Sequence, residues 1–196
     1  MEKQKIKNIE ILGKIFNDSK VKAIIFDFDG VIANLPIDYN LLRGKLSEYF
    51  RFRYNFKNNF IPLNPNLELV KNKLGKRALQ EAYKIIEKYE IDALPKSKPN
   101  KEIVDFIKNN NSHLKIAIFS MNMRKTIKRF LIKNKLLKYI DLIVAKNNVN
   151  QYKPNPEGLY QILNKWHLKK KEVIFIGDKD IDLQTGKLAG IKVIIV

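Results

Sequence analysis

The chain has no cysteine, which excludes disulfide bonds and every chemistry that runs through a thiolate. It also has no apolar run near the ~20 residues that cross a bilayer. The opening stretch MEKQKIKNIE is polar and charged throughout and lacks the apolar segment of a secretory signal. Together these absences lead us to expect a cytoplasmic protein with no membrane partner. Acidic residues are scarce, 20 against 38 Lys and Arg, for a net charge of +18. Such a balance attracts anions, whether nucleic acid, lipid head groups or phosphorylated metabolites. The chain is rich in Lys, Ile and Asn everywhere, as an AT-biased genome would make it. Its lysines are dispersed over the N-terminal segment, the middle of the chain, Arg124–Lys138 and Lys169–Lys171. A dispersed charge makes a diffuse field with few simultaneous contacts to a polymer. Nucleic acid is therefore an unfavoured partner.

What is present is a globular composition. The 196 residues are 45% hydrophobic, enough for one domain or one domain with a small insertion. Four short apolar runs, Ala23–Phe26, Ile116–Phe119, Leu142–Val144 and Val173–Ile176, read as strands, and Val193–Val196 as a fifth. Continuous apolar runs suit strands buried on both faces of a parallel sheet. Helical patterns over Lys101–Asn109, Arg124–Asn134 and Pro156–Trp166 alternate with them. Alternation of this kind implies a Rossmann-like, doubly wound α/β fold. One stretch breaks it. Leu41–Phe50 and Leu67–Glu90 read as amphipathic helices, and Pro95–Pro99 as a loop. The expected organisation is an α/β core over 1–32 and 99–196 with a small, mostly helical cap over 33–98. Residues 1–20 suggest an extra amphipathic helix, with Ile6, Ile9, Leu12, Ile15 and Phe16 near one face.

The chemistry gathers just past the predicted strands, where open α/β sheets form their ligand crevice. The first strand runs into Asp27-Phe28-Asp29-Gly30. Two carboxylates two residues apart point to one side of an extended chain, and Gly30 then allows a sharp turn. The second strand ends at Ser120-Met121-Asn122 before a helix, and a hydroxyl with free helix-start N–H groups makes a seat for phosphate. The third leads to Lys153-Pro154-Asn155-Pro156, with Asn155 as the N-cap and Pro156 as the first helical residue. The fourth leads to Gly177-Asp178-Lys179-Asp180-Ile181-Asp182.

In this order the four sites resemble the motifs of the haloacid dehalogenase superfamily, in the branch that contains phosphoglycolate phosphatase and β-phosphoglucomutase. FDFDGVIAN is similar to that branch's first motif, KPNPEGLYQIL to its third and GDKDIDLQTGKLAGIKVI to its fourth. Lys179, where the branch usually has Ser, and Met121 depart from it. The resemblance implies a Mg2+-dependent phosphatase acting on a small phosphomonoester through an aspartyl-phosphate. Asp27 would be the nucleophile and Asp29 the general acid and base. Mg2+ would be held by Asp27, the Asp29 carbonyl and Asp178, with Asp182 behind them. Ser120, Met121 and Lys153 would hold the phosphate oxygens. A phosphomutase uses the same motifs, and a basic nucleic-acid-binding protein on the same scaffold is the alternative from another class. The oligomeric state is not readable.

Three remaining features have plainer readings. His113 and His167 stand in loop or helix-end contexts that suit solvated or capping roles. Tyr49–Lys57 alternates aromatic and basic residues, which suits an element with its rings inward and its cations in water. In Arg124–Lys138, Ile127, Phe130, Leu131 and Leu137 are expected to pack inward beneath a basic outer face.

Overall fold

The computed structural model describes residues 20–110 and 112–196; the N-terminal segment, including the helix expected over 1–20, lies outside the described residues. The chain divides into two compact units. One runs to Asn34 and resumes at Lys98, and the other is Leu35–Ser97.

The first unit is a parallel sheet of five strands in the order β5-β4-β1-β6-β7. These are β1 (Ala23–Phe26), β4 (Lys115–Phe119), β5 (Leu142–Val144), β6 (Val173–Gly177) and β7 (Lys192–Ile195). A two-residue ladder, β2 (Ala33–Asn34) against β3 (Lys98–Pro99), is separate from it. The prolines of 95–99 thus leave room for a short exposed strand that composition alone reads as loop.

β1 is central, with Phe26 level with Ile118 of β4 on one side and Ile176 of β6 on the other. The chain fills the sheet outward from β1 through β4 to β5, then crosses back to β6 and β7. That reversal leaves a crevice at the carboxyl ends of β1, β4 and β6, where ligands of such sheets bind. All four β1 side chains and all five β6 residues are buried, as apolar runs between two helical layers should be. β7 differs from the expectation. Its two end residues are exposed and its two middle residues half-buried because it is an edge strand.

Helices α3 (Lys101–Asn110), α4 (Arg124–Lys133), α5 (Glu157–Trp166) and α6 (Asp180–Ala189) complete the unit. Apolar residues at helical spacing bury one face of each: Ile103, Val104 and Ile107 on α3, Ile127, Phe130 and Leu131 on α4, Leu159, Ile162 and Leu163 on α5. Leu137, expected inside, is 37% exposed because the helix ends at Lys133 and the chain continues as a short 3-10 turn. Asn155 caps α5 as its side chain accepts from Glu157 N at 2.9 Å. Pro156, however, occupies the non-helical cap position and the helix starts one residue later than expected. His167 ends α5 in a left-handed conformation, φ 54°.

The second unit is helical. α1 (Tyr39–Tyr54) starts at Asp38, whose Oδ1 accepts from Leu41 N at 2.9 Å, and ends at Asn55 with φ 50°. α2 (Leu63–Ala93) is two helices joined at Gly75, where φ 87° and ψ 177° leave the helical region. Leu42, Leu46, Phe50, Phe60, Leu67, Val70 and Ile86 form the core. Tyr49 and Tyr54 donate to Glu81 Oε2 at 3.0 and 2.6 Å. In the Tyr49–Lys57 stretch Phe50 is inside and Arg51 and Arg53 are outside, as their alternation suggests. Phe52 is the exception, 82% exposed, because it falls on the outer face of α1. Among the described residues no helix is long and apolar enough to cross a membrane.

α5 lies so close to β4 that a Cβ on Gly158 would come within 2.1 Å of Phe119 Cε2. Gly158→Ala therefore forces a buried ring to move, and overpacking of this kind costs about 1–3 kcal/mol, more than the ~1 kcal/mol of helix propensity gained. Urea unfolding should show a lower midpoint at constant slope; an unchanged or higher midpoint would mean that the helix can lift off at no cost.

Candidate active site

Past Phe26 the β1 ladder continues one residue further, with Asp27 N donating to Ile176 O at 2.8 Å. This fixes Asp27 at the carboxyl edge of the sheet, with its carboxylate in the crevice and 6% exposed. Phe28 points away and packs edge-on against Phe130, with ring centres 5.2 Å apart. That anchor commits Asp29, the next residue, to a partly exposed position. The chain then turns back: Ile32 N and Ala33 N both donate to Phe28 O, and Gly30 N donates to Ala33 O at 2.7 Å. Gly30 has φ 96°, and a Cβ there would lie 2.0 Å from Asp178 Oδ2. Glycine is needed twice over, for the left-handed turn and to let the Asp178 carboxylate lie against the backbone.

Asp178 follows β6, and the turn into α6 is tied by Asp182. Asp182 Oδ2 accepts from the backbone N–H groups of Asp178 and Lys179, both at 3.2 Å. The other oxygen, Oδ1, accepts from Lys153 Nζ at 2.7 Å. The same ammonium donates to Asp27 Oδ1 at 2.9 Å. Side-chain exposure of Lys153, Asp27 and Asp182 is 2%, 8% and 1%. Lys153 Nζ also sits 4.8 and 4.9 Å from the ring centres of Phe119 and Phe175, where a desolvated cation gains from the ring faces. One buried ammonium thus locks two carboxylates that reach the crevice from the end of β1 and the first turn of α6. Removing one partner of such a group leaves buried charge uncompensated, at a cost of about 3–5 kcal/mol.

Oxygen atoms of Asp27, Asp178 and Asp182 lie within 4.8 Å of one another. No donor among the described residues is recorded on Asp27 Oδ2, and Asp178 Oδ1 is buried without a partner. Burial holds the Asp178 carboxyl above its usual range; Lys179 opposes this, while Asp27, Asp182 and Asp29 add to it. A compact set of hard oxygens with an orphaned buried acceptor fits Mg2+.

Ser120 lies at the end of β4, fully buried. Its N–H donates to Val144 O at 3.1 Å, and its hydroxyl donates to Asn122 Oδ1 at 3.0 Å. Met121 is half-buried and Met123 stands before α4. Register places Ser120 at the same sheet edge as Asp27, since Ile118 pairs with Phe26. Two features of the crevice were not legible as site residues in the sequence. Asn122, 4% exposed, holds the Ser120 hydroxyl. Lys179, visible only as a departure from a motif, brings its Nζ to 3.7 Å from Asp178 Oδ2.

Residues 24–196 match the family model of the haloacid dehalogenase-like hydrolases. The chain is similar to pyrophosphatase PpaX of Halalkalibacterium halodurans, 27% identical over 180 residues, with 90% of this chain and 84% of that protein covered. It is also similar to pyrophosphatase PpaX of Bacillus mycoides, 25% identical over 190 residues, with the same shares covered. Its fold is similar to that of CbbY from Rhodobacter sphaeroides, solved in complex with phosphate (TM-score 0.65, 16% identity, 89% of this chain and 85% of that one). A hydrolase of subfamily IA, variant 1, from Geobacter sulfurreducens shares it as well (TM-score 0.59, 17% identity, 91% and 88%).

The raised Asp178 carboxyl has a consequence for stability. A carboxyl whose folded-state affinity for protons exceeds the unfolded one destabilises the fold where it is ionised, and that penalty disappears as pH falls below its unfolded range. Without metal at neutral pH, Asp178→Asn should therefore raise Tm. Added Mg2+ should raise the Tm of the wild type and not that of the variant. A lower Tm for metal-free Asp178→Asn would contradict this account of the carboxylate cluster.

Proposed function

Because this chain belongs to the haloacid dehalogenase-like hydrolase family, as a phosphatase of it, we propose that it is a Mg2+-dependent enzyme that hydrolyses a small phosphorylated compound through a phosphoryl group carried on Asp27. The observation that carries this reading is the state of Asp27. Lys153 holds its Oδ1 at 2.9 Å, which leaves Oδ2 directed by the same bond and free of any donor recorded among the described residues. A carboxylate fixed through one oxygen is a positioned nucleophile through the other.

The residues divide the work as follows. Asp27 Oδ2 attacks phosphorus, and the bond from phosphorus to the leaving oxygen breaks with its electron pair on that oxygen. Asp29, more exposed than Asp27, gives that oxygen a proton and takes one back from the water that later attacks the aspartyl-phosphate. Asp178, the Asp27 carboxylate and the Asp29 carbonyl are the groups that would hold Mg2+. When bound, the ion would neutralise the charge gathered as a phosphate enters. Asp182 has both oxygens engaged, one by Lys153 and one by the turn, which supports a role behind the metal rather than on it. Ser120, the Met121 backbone and Lys153 would hold the phosphate oxygens, Lys153 while keeping its bond to Asp27. Dispersed positive charge draws such substrates in. For nucleic acid we propose weak binding only, even though Phe52 is exposed between Arg51 and Arg53.

The test is Asp27→Asn, a nearly isosteric change that removes the nucleophile. Its kcat for Mg2+-dependent phosphate release should fall at least ~100-fold, about 3 kcal/mol of barrier, with unchanged secondary structure by circular dichroism. Excess chelator should silence the wild type. Residual activity above about one hundredth, or turnover in chelator, would sink the mechanism.

A further inference from the structure

We propose that Glu157 is a positioning residue for the reaction: its carboxylate holds the loop that carries Lys153, and through that ammonium it sets where the Asp27 carboxylate lies. The proposal rests on the phosphatase reading above and adds to it a residue that acts only through Lys153.

Glu157 is the first residue of α5, and an acid in a first turn is ordinarily accounted for by its own helix. Here that account falls short. The cap of α5 is already made by Asn155, which accepts from Glu157 N at 2.9 Å. The Glu157 side chain turns away from the helix and reaches back to a loop. Its Oε2 accepts from Gln151 N at 2.8 Å and from Asn150 N at 2.9 Å, and Oε1 shares the Asn150 N–H at 3.0 Å. Oε1 also takes the side-chain amides of Asn150 at 3.3 Å and Gln161 at 3.1 Å. Each donor recorded on this carboxylate among the described residues is an amide, in a chain with 38 Lys and Arg. The charge is committed to fixing backbone, through the stronger, charge-assisted kind of hydrogen bond.

The loop so closed contains the lysine on which the crevice depends. Lys153 follows Gln151 by two residues. Beyond it Asn155 ties the return, its N–H donating to Tyr152 O at 2.8 Å and its side-chain amide to Gln151 Oε1. Tyr152 and Lys153 are both 4% exposed. The helix that bears Glu157 is itself seated closely, since Gly158 lies against the ring of Phe119. That ring is 4.8 Å from Lys153 Nζ. The same frame therefore holds the loop backbone and flanks the ammonium it delivers. Lys153 Nζ then meets Asp27 Oδ1 at 2.9 Å and Asp182 Oδ1 at 2.7 Å. A shift of the loop pulls this buried ammonium off one carboxylate or the other. Misplacing a reacting group by about 1 Å can cost ~100-fold in rate.

Glu172 provides a control of the same kind outside the crevice. It stands just before β6, at the amino end of the sheet, where its Oε2 accepts from Lys169 N at 2.7 Å and its Oε1 pairs with Lys22 Nζ at 2.7 Å. Glu172→Ala thus removes a glutamate that ties a turn without touching the Lys153 loop.

Glu157→Ala, Glu157→Gln and Glu172→Ala are to be compared with the wild type at a temperature where circular dichroism shows each of them folded. With Mg2+ and phenyl phosphate, kcat/KM of Glu157→Ala should fall about tenfold or more. Glu157→Gln should keep part of the activity, because one oxygen still accepts, and Glu172→Ala should stay within about twofold of wild type. A second readout needs no substrate. The NMR resonance of the Lys153 ammonium should shift or broaden in Glu157→Ala and stay in place in Glu172→Ala. A lowered Tm with that resonance in place, activity of Glu157→Ala within about twofold of wild type, or an equal loss in Glu172→Ala would overturn the proposal and leave the phosphatase reading standing. If Glu157→Ala does not fold, Glu157→Gln decides by the same two readouts. Failure of the wild type to release phosphate would overturn the phosphatase reading instead, and the resonance alone would then decide whether Glu157 holds Lys153.

Discussion

The crevice depends on one buried ammonium. Lys153 Nζ bonds Asp27 at the end of β1 and Asp182 on α6, between the rings of Phe119 on β4 and Phe175 on β6. Without it, two nearly inaccessible carboxylates would face each other in a medium that strengthens their repulsion. With it, three elements far apart in sequence are held to one geometry at the carboxyl edge of the sheet. The arrangement is costly to form, because all three charged groups are desolvated. That cost is a reason to read it as functional, since apolar side chains would hold the same sheet as well.

The same geometry leaves selected atoms unsatisfied. Asp178 Oδ1 is buried with no partner, and its carboxylate lies so close to Gly30 that any side chain there would overlap it. The turn after β1 and the turn after β6 are thus fitted to each other through a glycine and an acid. A polar atom buried without a partner works against stability, and its position beside Asp27 gives it a use when a cation is present. At Asp178, as at Lys153, stability and the proposed function pull in opposite directions.

Much of this was legible in the sequence, for identifiable reasons. Apolar runs buried on both faces stand out against a lysine-rich background, so β1, β4 and β6 lie where the residues suggest. Chemistry-bearing residues just past such runs are conspicuous, which is why Asp27, Ser120 and Asp178 could be singled out. Three features were not legible. Burial at β7 depends on its being an edge strand, a property of sheet order rather than of its own residues. The first residue of α5 depends on how Asn155 and Pro156 share the cap, which spacing alone does not decide. The Lys153 bridge joins positions 126 and 29 residues apart, and no local pattern predicts that a lysine expected to hold phosphate would also lock the proposed nucleophile. Lys179 was legible only as a departure from the motif, because in a basic chain one further lysine carries no signal until its carboxylate neighbours are seen.

The central claim, that Asp27 carries the phosphoryl group, is tested most directly by stopping turnover in acid and mapping the modified residue by peptide mass spectrometry. Substrate and Mg2+ would be mixed with the enzyme for less than one turnover before quenching. The account predicts a phosphoryl adduct on Asp27, labile to hydroxylamine as an acyl phosphate should be. An adduct on any other side chain would contradict it.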